Sequence, residues 1–444
     1  MNSPHQQTQG HETIVTRRQG STVCPHHRSL KTGPGRLRVG YSGFAPFRLL
    51  MVLVLIALVV PTQAQEVEDT IKIKTRVVFL DALVKDKKTN LPVSNLTTEN
   101  FEVRDDGKPR NISYFTREGQ ARKPLALMLI LDVRDDGAGR FLKRSEIIKA
   151  METELAKLPP GDEVAIMAMD IGEDERRFWV TEFTNDRAKI ASALTRIQEM
   201  CEKKDDEAPP IANTDPDHAK EVVETETIKG KNGATVTRTT LKDGTVNVKR
   251  VNKDGDVTVE FDDIYDMAAA VRDATRKAEQ LRPNSQASIV WISDGIAPIF
   301  FEDRDATEQI LIRNNVIFNS LTVELRTLFK FLLPVGKPLA GWLGVSLYGS
   351  AKHLAQRSGG EAVKVGRAKD YNAGLARIIG NLTARYSLGF TLAEDESDDG
   401  RLHSLEVRVQ AKDDKGKKRK LLVSSRQGYY MSTAMPKEAA TRAQ

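Results

Sequence analysis

A cluster of aspartates follows an unbroken apolar run: Leu125–Gly137 reads LALMLILDVRDDG, with Asp132, Asp135 and Asp136 just beyond Leu131. Carboxylates grouped like this can hold a hard cation, or the cationic group of a ligand. A second apolar run, Ala287–Ile292, ends the same way in Ser293-Asp294-Gly295. Runs that are apolar at every position suit strands buried on both faces, as in the parallel sheet of an α/β domain. In open sheets of that kind ligands bind beyond the carboxyl ends of the strands, so the two acidic loops are expected to share one site.

Other chemistry is less well supported. No Ser, Cys or His spacing pairs a nucleophile with a base, and no glycine-rich phosphate loop opens a helix. Asp132 and Asp294 as an acid/base pair of the hydrolase type is a weaker alternative to binding. Asp105-Asp106 and Asp398-Asp399 read as turn residues. Beyond residue 64 only His218, His353 and His403 remain, far apart in sequence, which argues against a His-rich metal site.

The overall charge is misleading. The chain carries a formal +6, and residues 1–64 alone hold seven Lys/Arg against one acid, which accounts for all of it. The remainder is formally neutral, so the basic pI offers no argument for nucleic acid. Residues 49–60, LLMVLVLIALVV, are preceded by Arg48 and followed by Pro61-Thr62-Gln63-Ala64. That pattern predicts a signal-peptide core with cleavage after Ala64, and no stable transmembrane segment afterwards. The alternative is an uncleaved inner-membrane anchor through 49–60. The stretch ahead of the apolar run reads as an over-long start. With Cys24 in this leader, Cys201 is left alone, so no intrachain disulfide is expected and stability must come from packed cores.

About 380 remaining residues suggest two or three domains. Ile71–Thr116 reads as strands only, with Asp106-Gly107 as a hairpin turn; a small immunoglobulin-like β-sandwich is expected over 66–120. From Pro124 strands and helices alternate. Strands are predicted at Leu125–Asp132, Glu163–Met169, Arg177–Phe183, Ala287–Ser293, Val316–Val323 and Tyr386–Leu392. Helices are predicted at Leu142–Leu158, Asn185–Met200 (capped by Thr184 or Asn185), Ile264–Leu281, Thr307–Asn314, Ala351–Ser358 and Ala373–Ala384. This order implies an α/β domain over 123–395 with a doubly wound, mostly parallel sheet.

Two insertions interrupt it. Residues 203–261 show turns at Asn232-Gly233, Asp243-Gly244 and Asp254-Gly255, and so predict a protruding β-meander; its Thr, Lys and Val faces predict little packing. Residues 326–349 are apolar but broken by Pro334, Lys337 and Pro338. They read as a loop packed on the sheet edge or as an exposed patch meeting a partner or membrane. Residues 401–431 read as a closing β-hairpin, and 432–444 as a disordered tail.

The order of motifs is similar to that of the secreted von Willebrand factor type A-related proteins common in Acidobacteria. The matching elements are VVFLDALVKD, PVSNLTTENFEVRDDGKPRNISYF, the strand ending in Asp132, WISDG, LAQRSGGEA, ARYSLGFT and LEVRVQAKDDKGKKRKLLVSSRQGYYM. The resemblance spans about Ile71 to Met431 apart from the insertions. It implies a von Willebrand A-like fold with a metal-ion-dependent adhesion site. There an Asp-x-Ser-x-Ser loop, a later Thr and a further Asp hold Mg²⁺. In this chain Asp132 and Asp294 match, Arg134 and Asp136 stand where the serines belong, and Asp262 replaces the Thr.

Four carboxylates would neutralise the ion that normally attracts a partner's acid, although Ca²⁺ tolerates such crowding better than Mg²⁺. Arg134 instead brings a permanent charge and a bidentate fork that could pair with Asp132 or Asp294. An internal Arg–Asp network is the favoured reading, ahead of a bound Mg²⁺ or Ca²⁺ and of plain solvated charge. The expectation is a secreted or periplasmic, non-enzymatic module that binds another protein; the alternative is a structural or envelope-assembly component that binds through its insertions without metal. The site residues are Asp132, Arg134, Asp136, Asp262 and Asp294.

Overall fold

The structure, a computed structural model, describes residues 76–117, 122–133, 138–171, 175–202, 222–241, 246–261, 267–293, 299–323, 344–346, 349–365, 370–393, 395–396, 398–413 and 415–431. The leader with its apolar run, most of the 326–349 segment and the tail from 432 lie outside these residues.

Strands β1 (Val77–Asp86), β2 (Phe101–Asp105), β3 (Lys108–Arg110) and β4 (Tyr114–Thr116) come first. They are followed by β5 (Leu125–Asp132), α1 (Gly139–Leu142), α2 (Ser145–Ala156), β6 (Glu163–Ile171), β7 (Glu175–Thr184) and α3 (Arg187–Glu202). Next come β8 (Val222–Lys229), β9 (Thr235–Leu241), β10 (Val246–Val251) and β11 (Val257–Phe261). The chain continues through α4 (Met267–Leu281), β12 (Gln286–Ser293), β13 (Ile299–Phe300), α5 (Phe301–Arg313) and β14 (Ile317–Val323). After these come β15 (Val345–Ser346), α6 (Ser350–Ser358), β16 (Ala362–Val365) and α7 (Tyr371–Thr383). Strands β17 (Tyr386–Thr391), β18 (His403–Val409), β19 (Leu421–Ser424) and β20 (Gly428–Tyr429) close it.

The six-stranded central sheet has the order β16-β14-β12-β5-β6-β7, parallel except for the edge strand β7. Every residue of β5 is buried. Leu125, Leu127, Leu129 and Leu131 pack with α2, α3 and α7 on one face. Ala126, Met128 and Ile130 pack with α4 and α6 on the other. A strand covered on both sides has no polar face to write into its sequence, which is why this run does not alternate. Each fully buried Leu contributes roughly 1.5–3 kcal/mol relative to exposure.

From β5 the chain moves to β6 and β7 on one side, then returns to β12 and continues to β14 and β16 on the other. The direction of winding therefore reverses between β5 and β12, the kind of place where open α/β sheets bind their ligands.

The strand-only region differs from expectation in one respect. Two four-stranded sheets, β19-β1-β17-β4 and β20-β18-β2-β3, draw strands from both ends of the described chain. They share one core that includes Leu80, Val84, Val103, Tyr386, Phe390 and Leu405. Tyr386–Leu392, expected in the α/β sheet, is thus corrected: β17 lies antiparallel to β1 and β4. Its Tyr386, Leu388 and Phe390 point into the core while Ser387 is half exposed, the alternation of a strand with one buried face. The closing segment forms in part as expected: β20 pairs antiparallel with β18, whereas β19, from the same predicted arm, pairs with β1 in the other sheet.

The meander forms as expected, in the order β11-β10-β9-β8, with Gly233 and Gly255 at positive φ in its turns. The expectation that it packs little is overturned. Across the β9–β10 register Val248 faces Arg238 and Arg250 faces Val236, and all four residues are buried. Arg238 donates to both carboxylate oxygens of Asp303 at 3.2 Å. Arg250 holds Glu302 through Nε at 3.2 Å and Nη2 at 2.9 Å. Both acids lie in the first turn of α5, where the helix dipole favours negative charge. Charge pairing, rather than apolar bulk, seats the meander.

Candidate functional site

Asp132 closes β5 and is fully buried. On one side the β5–β6 ladder continues, with Val133 N–H donating to Met169 O at 2.8 Å. On the other, β12 runs in register through Leu131 and Ile292. The next residue along, Ser293, donates its hydroxyl to Asp132 Oδ2 at 2.6 Å. This short charge-assisted bond lies at the carboxyl ends of the two strands between which the winding reverses, the place where open α/β sheets put their ligands.

Tyr371, the first residue of α7, completes the described part of this rim. It is wholly buried, and its hydroxyl has no hydrogen-bond partner among the described residues. Burial first, and then the negative charge of Asp132, push its phenol well above the usual range, so it stays protonated. Cys201 Sγ lies 3.9 Å from Val133 O beneath the same rim.

Of the five residues expected to form the site, Asp132 is described, and Arg134, Asp136, Asp262 and Asp294 lie outside the described residues. Ser293, the neighbour of Asp294, stands directly beside Asp132. Sequence reasoning quoted Ser293 without giving it a part and passed over Tyr371 altogether. A hydroxyl ending a buried strand was a usable signal for the first. For Tyr371 the only signal was a phenol beginning a helix with an apolar face.

An ion of the Mg²⁺ or Ca²⁺ type requires at least six oxygen ligands. On this rim the described residues bring the Asp132 carboxylate and the Ser293 hydroxyl together, and a hydroxyl that donates its hydrogen keeps its oxygen lone pairs for a cation.

A second concavity lies among β8, β9 and α4, lined by Arg177, Glu226, Arg238, Arg272, Asp273 and Arg276 among others. Its charges satisfy one another. Arg272 meets Glu226 at 2.7 Å, Arg276 meets the same carboxylate at 3.1 Å, and Arg177 meets Asp273 at 2.7 Å. Among the described residues no helix is long and apolar enough to cross a membrane.

No protein-family model matches the chain, and no curated protein matches it in sequence. Solved structures similar to it include the conserved hypothetical protein BatB from Bacteroides thetaiotaomicron, at 11% identity and a TM-score of 0.31, covering 58% of this chain and 98% of that one. The SpRpn10 VWA domain is similar at 11% identity and a TM-score of 0.29, covering 57% and 94%. A von Willebrand factor type A structure from Catenulispora acidiphila is similar at 9% identity and a TM-score of 0.32, covering 79% and 78%.

Proposed function

We propose that this chain is a secreted or periplasmic, non-enzymatic module that binds another protein through the rim where β5 and β12 end. The observation that carries the reading is Asp132, a buried carboxylate fixed by Ser293 at 2.6 Å at the reversal point of the sheet. In this proposal Arg134 takes the place of a divalent ion. Asp132 and Asp294 orient the site, and Arg134 pairs with one of them or meets an acidic group of the partner directly. A von Willebrand A-like reading of the α/β layer accords with this, as does the motif order of the sequence.

The test is titration calorimetry with Mg²⁺. The unmodified protein is expected to give no saturable heat. The triple variant Arg134→Ser, Asp136→Ser, Asp262→Thr, which restores the hydroxyl-rich set, is expected to bind one ion. Tight Mg²⁺ binding by the unmodified chain would overturn the ion-replacement reading. Binding itself is tested by capture from an envelope fraction: a partner retained by the unmodified protein should be lost on Asp294→Asn with Arg134→Gln, and equal retention by both would refute the assigned face.

A second reading, an envelope-assembly component contacting its neighbours through the insertions, has one feature in its favour. Among the described residues strand β8 is an edge of the meander and exposes Val222 and Val223, and an open sheet edge is a template for a further strand.

A further inference from the structure

At the far end of the β2–β3 hairpin three groups from distant parts of the sequence converge. His403 Nδ1 lies 3.1 Å from Asp106 Oδ2 and 3.9 Å from Asp105 Oδ1. The three donor atoms all lie within 4.8 Å of one another. Asp105 and His403 are only 4% and 3% exposed, while Asp106 opens to solvent. The two oxygens of Asp105 have different surroundings. Oδ2 accepts from Arg110 and from Tyr429 Oη at 3.1 Å. Oδ1, buried and turned toward the imidazole, accepts no hydrogen bond among the described residues. An unsatisfied carboxylate oxygen in such a place is costly unless something fills its coordination.

We propose that Asp105 Oδ1, Asp106 Oδ2 and His403 Nδ1 form a site for one divalent cation of the Zn²⁺ class. Bonds of 2.0–2.1 Å in a tetrahedron require ligand atoms about 3.3 Å apart, and the two measured separations bracket that figure. An imidazole nitrogen with two carboxylate oxygens is a borderline donor set that suits Zn²⁺, Co²⁺ or Mn²⁺ better than Mg²⁺. The outer sphere is already in place. His403 Nε2 lies 3.2 Å from Asp399 Oδ1, the carboxylate–histidine pairing that fixes a ligating ring, and Tyr429 stacks on the imidazole at 5.0 Å. Asp106 is held by Ser404 N–H, which donates to its Oδ1 at 2.8 Å.

Charge agrees. Among the described residues the arginines that meet Asp105, Asp106, Asp399 and Glu396 are Arg110 and Arg401. Arg401, whose side chain is 58% exposed, touches Asp106 Oδ2 at 2.9 Å. It is a solvent-facing cation that an ion would displace from Asp106. Bound metal would clamp the β2–β3 hairpin to β18 and leave a position open toward solvent for water.

The experiment is calorimetric titration of the full chain with ZnCl₂ at pH 7.5, supported by the Co²⁺ absorption spectrum. One Zn²⁺ per chain and a raised Tm are expected. His403→Gln should abolish binding. Asp106→Asn keeps the turn, since Asn tolerates positive φ and can still accept from Ser404, so this variant folds; it should bind at least tenfold more weakly. Arg401→Gln should bind more tightly, which a purely structural role for the cluster would not produce. Absence of one-to-one binding by the unmodified protein, or equal affinity in Asp106→Asn, would overturn the proposal.

Discussion

Single groups set the character of the rim. Ser293→Ala removes a hydrogen bond to a buried carboxylate and should cost about 1.5–3 kcal/mol, measured by denaturant unfolding. Tyr371→Phe should behave oppositely. Its hydroxyl has no partner among the described residues, so deleting it should change stability by less than about 1 kcal/mol in the destabilising direction, or raise it; a loss above about 2 kcal/mol would show that the phenol is engaged. Sequence could reach Asp132 because an acid ending an apolar strand breaks a local rule visibly. It could not reach the grouping of Asp105, Asp106 and His403. The two acids double as turn formers, with Asp106 at φ 47° before Gly107 at φ 80°. The histidine that joins them lies almost three hundred residues away, and no local pattern encodes a contact of that span.

Elements were legible where one physical cause acts alone. The doubly covered strands β5 and β12 were readable from unbroken apolarity, and the turns of the meander from Asn-Gly and Asp-Gly. Helix starts were less so. The third helix was expected from Asn185 with Thr184 or Asn185 as cap, whereas Asp186 receives Ala188 N–H at 2.9 Å and the helix begins at Arg187. Helix α5 was expected from Thr307 and begins at Phe301, because its polar first turn is buried under the meander's arginines rather than exposed.

That turn has measurable consequences. Asp303→Asn leaves Arg238 and Arg272 short of countercharge in a buried setting and should cost about 3–5 kcal/mol. Acid should act similarly. Burial raises the Glu302 pKa, but hydrogen bonds from Arg250 and Asn232 outweigh it and leave the group below its ordinary value of 4.5. A carboxylate depressed in the folded state stabilises above its unfolded pKa and ceases to do so as pH falls through the folded one. Hydrogen exchange should therefore show the meander loosening below about pH 4.5 before the central sheet does. Glycine substitutions offer a contrast. A Cβ at Gly360 would sit 2.0 Å from Phe318 O, so Gly360→Ala should cost more than about 2 kcal/mol. Gly380 is exposed in α7 with open space around it, so Gly380→Ala should stabilise by about 0.5–1 kcal/mol.

At the scale of the molecule, buried polar contacts join the α/β layer to the sandwich. Lys85 of β1 reaches Glu361, which also accepts from Asn381 and from Arg377. Arg426 donates to Ile312 O and to Phe79 O. Tyr386 Oη donates to Val93 O at 2.7 Å and accepts from Leu96 N–H at 3.0 Å, pinning the β1–β2 connection. The sequence announced both layers but not their interleaving, since alternation states that a strand has one dry face and not which partner lies beside it. Because β1 and β2 take their neighbours from β17, β18 and β19, the opening strands leave a ribosome long before the strands that flank them exist. The α/β layer can finish first, while the early strands wait with open edges. Release of a chain stopped after residue 400 would leave those edges permanently uncovered, and such a product should be recovered in the insoluble fraction. In the whole protein, synthesis of residues 401–431 is the step that commits the molecule, and slow, late closure is the kinetic signature to look for.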